Sequence, residues 1–180
     1  GAVSEIREKY LLELIKLSNG KSFITDKMPQ NFRLIPIICA AFPEAKIIHV
    51  QRDPRATCWS NYKQYFANNG LGYCYDLRDV VRYYNLYKDL MRLWLSRYGN
   101  QIYELNYEKL TMEQELETKR LIKEIGLKWE RACLFPERNK RVVNTASQEQ
   151  VTKQIYQGSS GAWRKYEPYL NGAFDSLPSL

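Results

Sequence analysis

Apolar residues fall at Ile6, Tyr10, Leu11, Leu14 and Leu17, three or four apart, and predict an amphipathic helix over residues 5–17. Asn19-Gly20 ends it. Residues 21–25 read as a short strand. Pro29 suits the first turn of a helix reaching about residue 41, because an N–H there would have no intrahelical partner; Pro36 kinks that helix. After a turn at Phe42-Pro43-Glu44-Ala45, residues 46–51 carry Ile47, Ile48 and Val50 almost without interruption. That is the pattern of a strand buried on both faces in a parallel sheet. Asp53-Pro54 is a helix start, an N-cap followed by proline, and the helix is expected to reach about residue 66.

Residues 68–75 form a glycine-bearing loop, and a long helical pattern follows over 77–98. Its inward positions are Val80, Val81, Tyr84, Tyr87, Leu90, Met91, Trp94 and Leu95, and Gly99-Asn100 stops it. Residues 101–105 predict a third strand and 113–125 a further helix ended by Gly126. Beyond Trp129 the periodicity fades. Residues 137–161 are polar and basic, 163–170 resume a short apolar pattern, and 173–180 read as a frayed tail. Strands alternating with helices predict an α/β architecture with a parallel sheet.

At 180 residues, 44% hydrophobic and 26% charged, the chain has the length and composition of one globular domain, which excludes wholesale disorder. No stretch approaches the ~20 apolar residues that span a bilayer, so no membrane association is expected. The net charge of +7 permits an anionic partner without naming it. The basic residues are dispersed and carry no helix-turn-helix, RNA-binding or zinc signature, so nucleic acid is not the expected partner. Cys39, Cys58, Cys74 and Cys133 form no C-x-x-C pair, and His49 is the single histidine. No metal site is expected, and the cysteines read as reduced, which points to the cytoplasm.

Three segments carry candidate chemistry. In Val50-Gln51-Arg52-Asp53-Pro54-Arg55, Arg52 falls at the carboxyl end of a strand, just before a helix start. Open α/β sheets bind ligands there, and a helix start offers N–H groups to an anion. Ser60 lies about two turns along that helix. One reading has Arg52 and Ser60 gripping a phosphate together. The other has Arg52 or Arg55 paired with Asp53 and Ser60 an ordinary helix residue. In Thr25-Asp26-Lys27-Met28-Pro29, Lys27 is either a positive charge over a transferring group or a solvated neighbour of a capping Asp26. The stretch 138–165 holds Arg138, Lys140, Arg141, Lys153, Arg164 and Lys165 against one acid, Glu149, with small donors in Asn144-Thr145-Ala146-Ser147 and Gly158-Ser159-Ser160-Gly161. It is either a binding loop or a solvated surface. Tyr62, Tyr65, Tyr73, Tyr75, Tyr83 and Tyr84 either line an acceptor side or pack in the core.

Taken together, four segments resemble the sulfotransferases. They are Asp26-Lys27-Met28-Pro29-Gln30-Asn31-Phe32, Ala45-Lys46-Ile47-Ile48-His49-Val50-Gln51-Arg52-Asp53-Pro54, Asn106-Tyr107-Glu108-Lys109-Leu110, and Asn144-Thr145-Ala146-Ser147 with Gln150-Val151, ending in Trp163-Arg164-Lys165-Tyr166-Glu167-Pro168. The last is similar to bacterial TPR-containing sulfotransferases and more distantly to protein-tyrosine sulfotransferases. The resemblance implies a P-loop NTPase-like fold, a parallel sheet flanked by helices. It also implies 3′-phosphoadenosine-5′-phosphosulfate (PAPS) as sulfuryl donor, with no metal, and a hydroxyl acceptor: a peptide tyrosine, a carbohydrate or a small molecule. Arg52 and Ser60 match the pair that holds the donor's 3′-phosphate, and Tyr107 matches a tyrosine near adenine and ribose. Ser147, Gln150 and Lys153 match the loop closing over the nucleotide, with Ser147 also near the chemistry. Lys27 matches a lysine beside the transferring group.

One family feature has no counterpart here. The glycine-rich phosphosulfate loop after the first strand is not among the glycines at 1, 20, 70, 72, 99, 126, 158, 161 and 172. Residues 1–172 are therefore read as the C-terminal part of a sulfotransferase domain. The N-terminal strand and loop are expected from another segment or a second copy, and the isolated chain is expected to be inactive. The alternative is a non-catalytic module that keeps only the 3′-phosphate site. His49 precedes Arg52 within the strand and is expected to pack rather than catalyse.

Overall fold

A computed structural model describes residues 1–66, 70–139 and 154–179. Six helices and two strands follow in chain order among them: α1 (Ala2–Ser18), α2 (Ile35–Ala41), β1 (Ile47–Gln51), α3 (Pro54–Tyr62), α4 (Leu77–Tyr98), β2 (Ile102–Asn106), α5 (Tyr107–Met112) and α6 (Gln114–Glu124). The strands pair in a two-stranded parallel sheet, and the architecture is mixed α/β. The chain divides into two compact units, one of residues 1–47 and 87–102, the other of residues 48–86 and 103–180.

The first unit centres on Ile35, Cys39, Met91 and Ile102, with Phe32, Ile47, Tyr87, Trp94, Leu95 and Tyr98 packed around them. The helix expected to start at Pro29 is split: Pro29–Leu34 is a 3-10 turn and α2 begins only at Ile35. Pro36 explains the break. It has no N–H to give the carbonyl of Phe32, four residues back, and its ring would crowd that carbonyl. The Phe32 oxygen accepts the Trp94 indole N–H instead, at 2.9 Å. In α1, Arg7 donates to the Ala41 carbonyl at 2.7 Å and pairs with Glu44 at 2.6 Å.

Two expectations fail in this unit. Residues 21–25 form no strand, and Phe23 is 72% exposed. A strand needs a partner for its hydrogen-bonding groups, and none of the described residues pairs with this segment. Helix α1 forms, but no residue on it is buried, so its apolar stripe covers less than its spacing suggested.

In the second unit, Asp53 caps α3, its Oδ1 accepting from Ala56 N at 2.7 Å, with Pro54 at the first helical position. Helix α3 ends at Tyr62, earlier than expected. Asn106 caps α5 in the same way, accepting from Lys109 N at 2.8 Å. β1 is not covered on both faces. Ile48 and Val50 are 39% and 53% exposed while His49 and Gln51 are partly covered, because successive side chains leave a strand on opposite faces.

The segment Ser159–Tyr169 winds as 3-10 turns along α3. Tyr166 stacks on Trp59 at 4.5 Å, and Arg55 lies 5.8 Å over the Trp163 ring. Residues 173–180 were expected to fray. Phe174 and Leu177 are instead buried, and Phe174 meets Trp163 edge-on at 5.8 Å. Aromatic burial of this size outweighs the freedom that ends usually keep. We expect Phe174→Ala to lower stability by about 3 kcal/mol in urea unfolding. A loss within ~0.5 kcal/mol, typical of a surface position, would mean that the tail does not pack.

Candidate functional site

Gln51 is the last residue of β1 and Pro54 the first of α3, so Arg52 and Asp53 make the whole connection. The Asp53 carboxylate is taken by the helix N-cap, and no ion pair among the described residues joins it to Arg52 or Arg55. The pairing of Asp53 with Arg52 or Arg55, one of the two readings of this run, is therefore absent among the described residues. Arg55 turns to Trp163, and the half-buried Arg52 makes no ion pair among the described residues. The helix start is less open than the sequence suggested. Ala56 N–H goes to Asp53, and Asp53 N–H donates to Glu108 Oε1 at 3.1 Å.

Arg52 is held from two sides. Its Nε donates to Ser160 Oγ at 3.2 Å, and its guanidinium lies 5.1 Å over the Tyr107 ring. The Tyr107 hydroxyl is 3.1 Å from Ser159 Oγ. Ser160 Oγ donates in turn to Glu108 Oε1 at 2.5 Å. Gly158 makes this approach possible. Its φ of +90° is a conformation that side chains with a Cβ rarely adopt, and it turns the chain so that consecutive serines reach Tyr107 and Arg52. Beside this network lies an open cleft of about 190 Å³, lined by Tyr107, Glu108, Thr111, Met112, Gln157 and the 158–160 turn. Gln157 Nε2 donates to the Thr111 carbonyl at 3.1 Å.

The sequence-derived candidates fare differently. Arg52 and Tyr107 are brought together. Ser60 is half-buried in the second turn of α3. Lys27 is exposed and belongs to the first unit, where its neighbour Asp26 accepts from the Tyr10 hydroxyl at 2.6 Å. That bond is the main reason the Tyr10 pKa is pushed up to about 12. Ser147, Gln150 and Lys153 lie outside the described residues. His49 is nearly covered and sits 3.4 Å from Glu104. The tyrosines divide: Tyr84 is buried and Tyr73 stacks on Tyr83 at 3.9 Å, whereas Tyr62, Tyr65 and Tyr75 are exposed.

Three members of the network, Glu108, Ser159 and Ser160, were not assigned from sequence. The serines had a signal in the Gly158-Ser159-Ser160-Gly161 run of small donors. Glu108 had its place in the Asn106-Tyr107-Glu108-Lys109-Leu110 motif, with no role attached to it. Cys39, Cys58 and Cys74 are free and buried, and burial pushes the Cys58 thiol up to about 12, so it stays protonated. No group of three or more acidic, histidine or cysteine side chains is placed to hold a metal among the described residues. No helix among them is long and apolar enough to cross a membrane.

Comparison with known proteins follows the same strand end. The model of the sulfotransferase family matches residues 3–131. This chain belongs to the sulfotransferase family. The sulfotransferase match covers β1, Arg52, α3 and Tyr107 and stops before the 158–160 turn. The chain is also 38% identical over 170 residues to an uncharacterized protein of Aquifex aeolicus (strain VF5). That alignment covers 93% of this chain and 22% of the relative, so the chain spans about a fifth of the length of the curated relative it matches.

The two contacts of Tyr107 can be separated. Tyr107→Phe keeps the ring under Arg52 and loses the Ser159 link, for an expected loss of about 1 kcal/mol in urea unfolding. Tyr107→Leu removes both and should cost about 0.5–1 kcal/mol more. Equal losses would mean that the ring contributes nothing to holding Arg52.

Proposed function

We propose that this chain binds PAPS and takes part in transferring its sulfuryl group to a hydroxyl acceptor. The observation that carries the reading is Arg52. It is a guanidinium at the carboxyl end of a parallel strand, fixed through Nε and by the Tyr107 ring, and without an ion pair among the described residues. A 3′-phosphate carries about two negative charges, and a planar fork of N–H donors suits it better than a point charge. In this reading Arg52 and Ser60 hold the 3′-phosphate, and Tyr107 lies beside adenine and ribose. Ser147, Gln150 and Lys153 close over the nucleotide.

The proposed reaction forms a bond between the acceptor oxygen and sulfur. It breaks the bond from sulfur to the 5′-phosphate oxygen and the O–H bond of the acceptor; adenosine 3′,5′-bisphosphate leaves and the acceptor's proton passes to solvent. Such a transfer needs in-line positioning and charge compensation more than covalent help from the protein. From the resemblance, Lys27 is proposed to offset the charge that develops on the bridging oxygen, and Ser147 is proposed as a second catalytic residue. Similarity of the 144–168 motifs favours a bacterial TPR-containing type, and the free cysteines favour the cytoplasm. The acceptor is a peptide tyrosine, a carbohydrate or a small alcohol. The exposed Ile48 and Val50 on a two-stranded sheet support completion of the fold by a further segment of the same polypeptide, with the phosphosulfate loop supplied there.

Calorimetry on the full-length protein tests the reading. Adenosine 3′,5′-bisphosphate should bind at least tenfold tighter than AMP, and Arg52→Ala should abolish the difference while leaving AMP unchanged. Equal binding of the two nucleotides by the wild type would overturn the assignment.

A further inference from the structure

We infer that Glu108 is a positioning residue for Arg52, acting through the Ser160 hydroxyl. A serine hydroxyl has one proton to give and two lone pairs to offer. Ser160 Oγ accepts from Arg52 Nε at 3.2 Å, so its own proton must go elsewhere, and it goes to Glu108 Oε1 at 2.5 Å. That length is typical of a hydroxyl on a charged carboxylate, the strong kind of hydrogen bond. The same Oε1 accepts the Asp53 N–H at 3.1 Å, so Glu108 is tied to the backbone residue that follows Arg52. One carboxylate oxygen thus ties together the strand end and the serine turn.

The consequence for Arg52 is directional. A hydroxyl whose proton is committed to Glu108 presents only lone pairs to the guanidinium. It takes Nε–H, and among the described residues the two Nη groups form no hydrogen bond, which leaves them for an anion. Glu108 itself forms no ion pair with Arg52 among the described residues, so it orients the guanidinium without neutralising it by direct contact. Glutamine at 108 would keep the shape but offer amide N–H groups as well. If one of these turned to Ser160 Oγ, it would compete with Arg52 for the lone pairs, and the hydroxyl proton would lose its charged acceptor. The effect on ligand affinity rests on the reading of Arg52 as the anion ligand; the link from Glu108 to Arg52 does not.

Two readouts keep these apart. In full-length protein carrying nitrogen-15 arginine, the Arg52 Nε–H signal, assigned by its loss in Arg52→Lys, reports the bond to Ser160 directly. Its exchange with solvent should be at least tenfold faster in both Ser160→Ala and Glu108→Gln, while other arginine signals stay in place and certify the fold. Wild-type exchange in Glu108→Gln would overturn the inference, as would a change in Glu108→Gln alone, since the action is through Ser160. In the second readout, each variant should bind adenosine 3′,5′-bisphosphate about tenfold more weakly. Glu108→Gln added to Arg52→Ala should change affinity less than twofold. An independent loss in that background would contradict action through Arg52. If the wild type shows no 3′-phosphate preference but the exchange effect holds, the donor-site reading fails and the positioning role stands.

Discussion

Asp53 sits between two arginines at the start of a helix, and its carboxylate could serve either. It serves the helix. Leaving a part-buried N–H unsatisfied costs about 1–3 kcal/mol, whereas an ion pair open to solvent gives about 0–1 kcal/mol, so capping Ala56 wins over pairing with Arg52 or Arg55. Everything distinctive about the site follows from that choice. Arg55 settles over Trp163, and Arg52 is left with its charge uncompensated by any ion pair among the described residues, at the point where a parallel strand gives way to a helix.

In the proposed reading, a guanidinium with no ion pair among the described residues serves a ligand only if it is held still. Here the holding falls to neutral and aromatic groups, the Ser160 hydroxyl and the Tyr107 ring, with Glu108 one bond further back. In the proposed reading, fixing an arginine this way preserves its charge for a ligand and removes part of the side-chain entropy that binding would otherwise cost. It also explains why a turn far along the chain has to return to β1. The Gly158 conformation, the consecutive serines and the packing of Ser159–Tyr169 along α3 serve the same contact, and the buried Trp163 and Phe174 stabilise the segment that carries it.

Much of this was legible in the sequence where the cause is local. The Asp53-Pro54 start, the extent of α4 and the strand at β2 depend on caps, glycine stops and periodicity within a few residues. Arg52 was reached from its place at a strand end before a helix start, and Tyr107 through motif similarity. What stayed hidden depends on distant partners. Residues 21–25 have strand-forming side chains, but nothing pairs with them among the described residues. Phe174 and Leu177 are buried in irregular turns that leave no periodic trace, and the carbonyl freed by Pro36 is satisfied by Trp94, far along the chain. Glu108 is the clearest case. Its motif gave it no role, and its contacts arise only where the first turn of α5 sets it beside Asp53 and the serine turn arrives.

A crystal structure of the full-length protein with adenosine 3′,5′-bisphosphate tests the central claim most directly. The account predicts the 3′-phosphate within hydrogen-bond reach of the Arg52 Nη groups, with Arg52 Nε still within hydrogen-bond distance of Ser160 Oγ and Ser160 Oγ still within hydrogen-bond distance of Glu108 Oε1. A nucleotide bound away from this strand end, or an Arg52 that has left Ser160 to pair with Asp53, would contradict it.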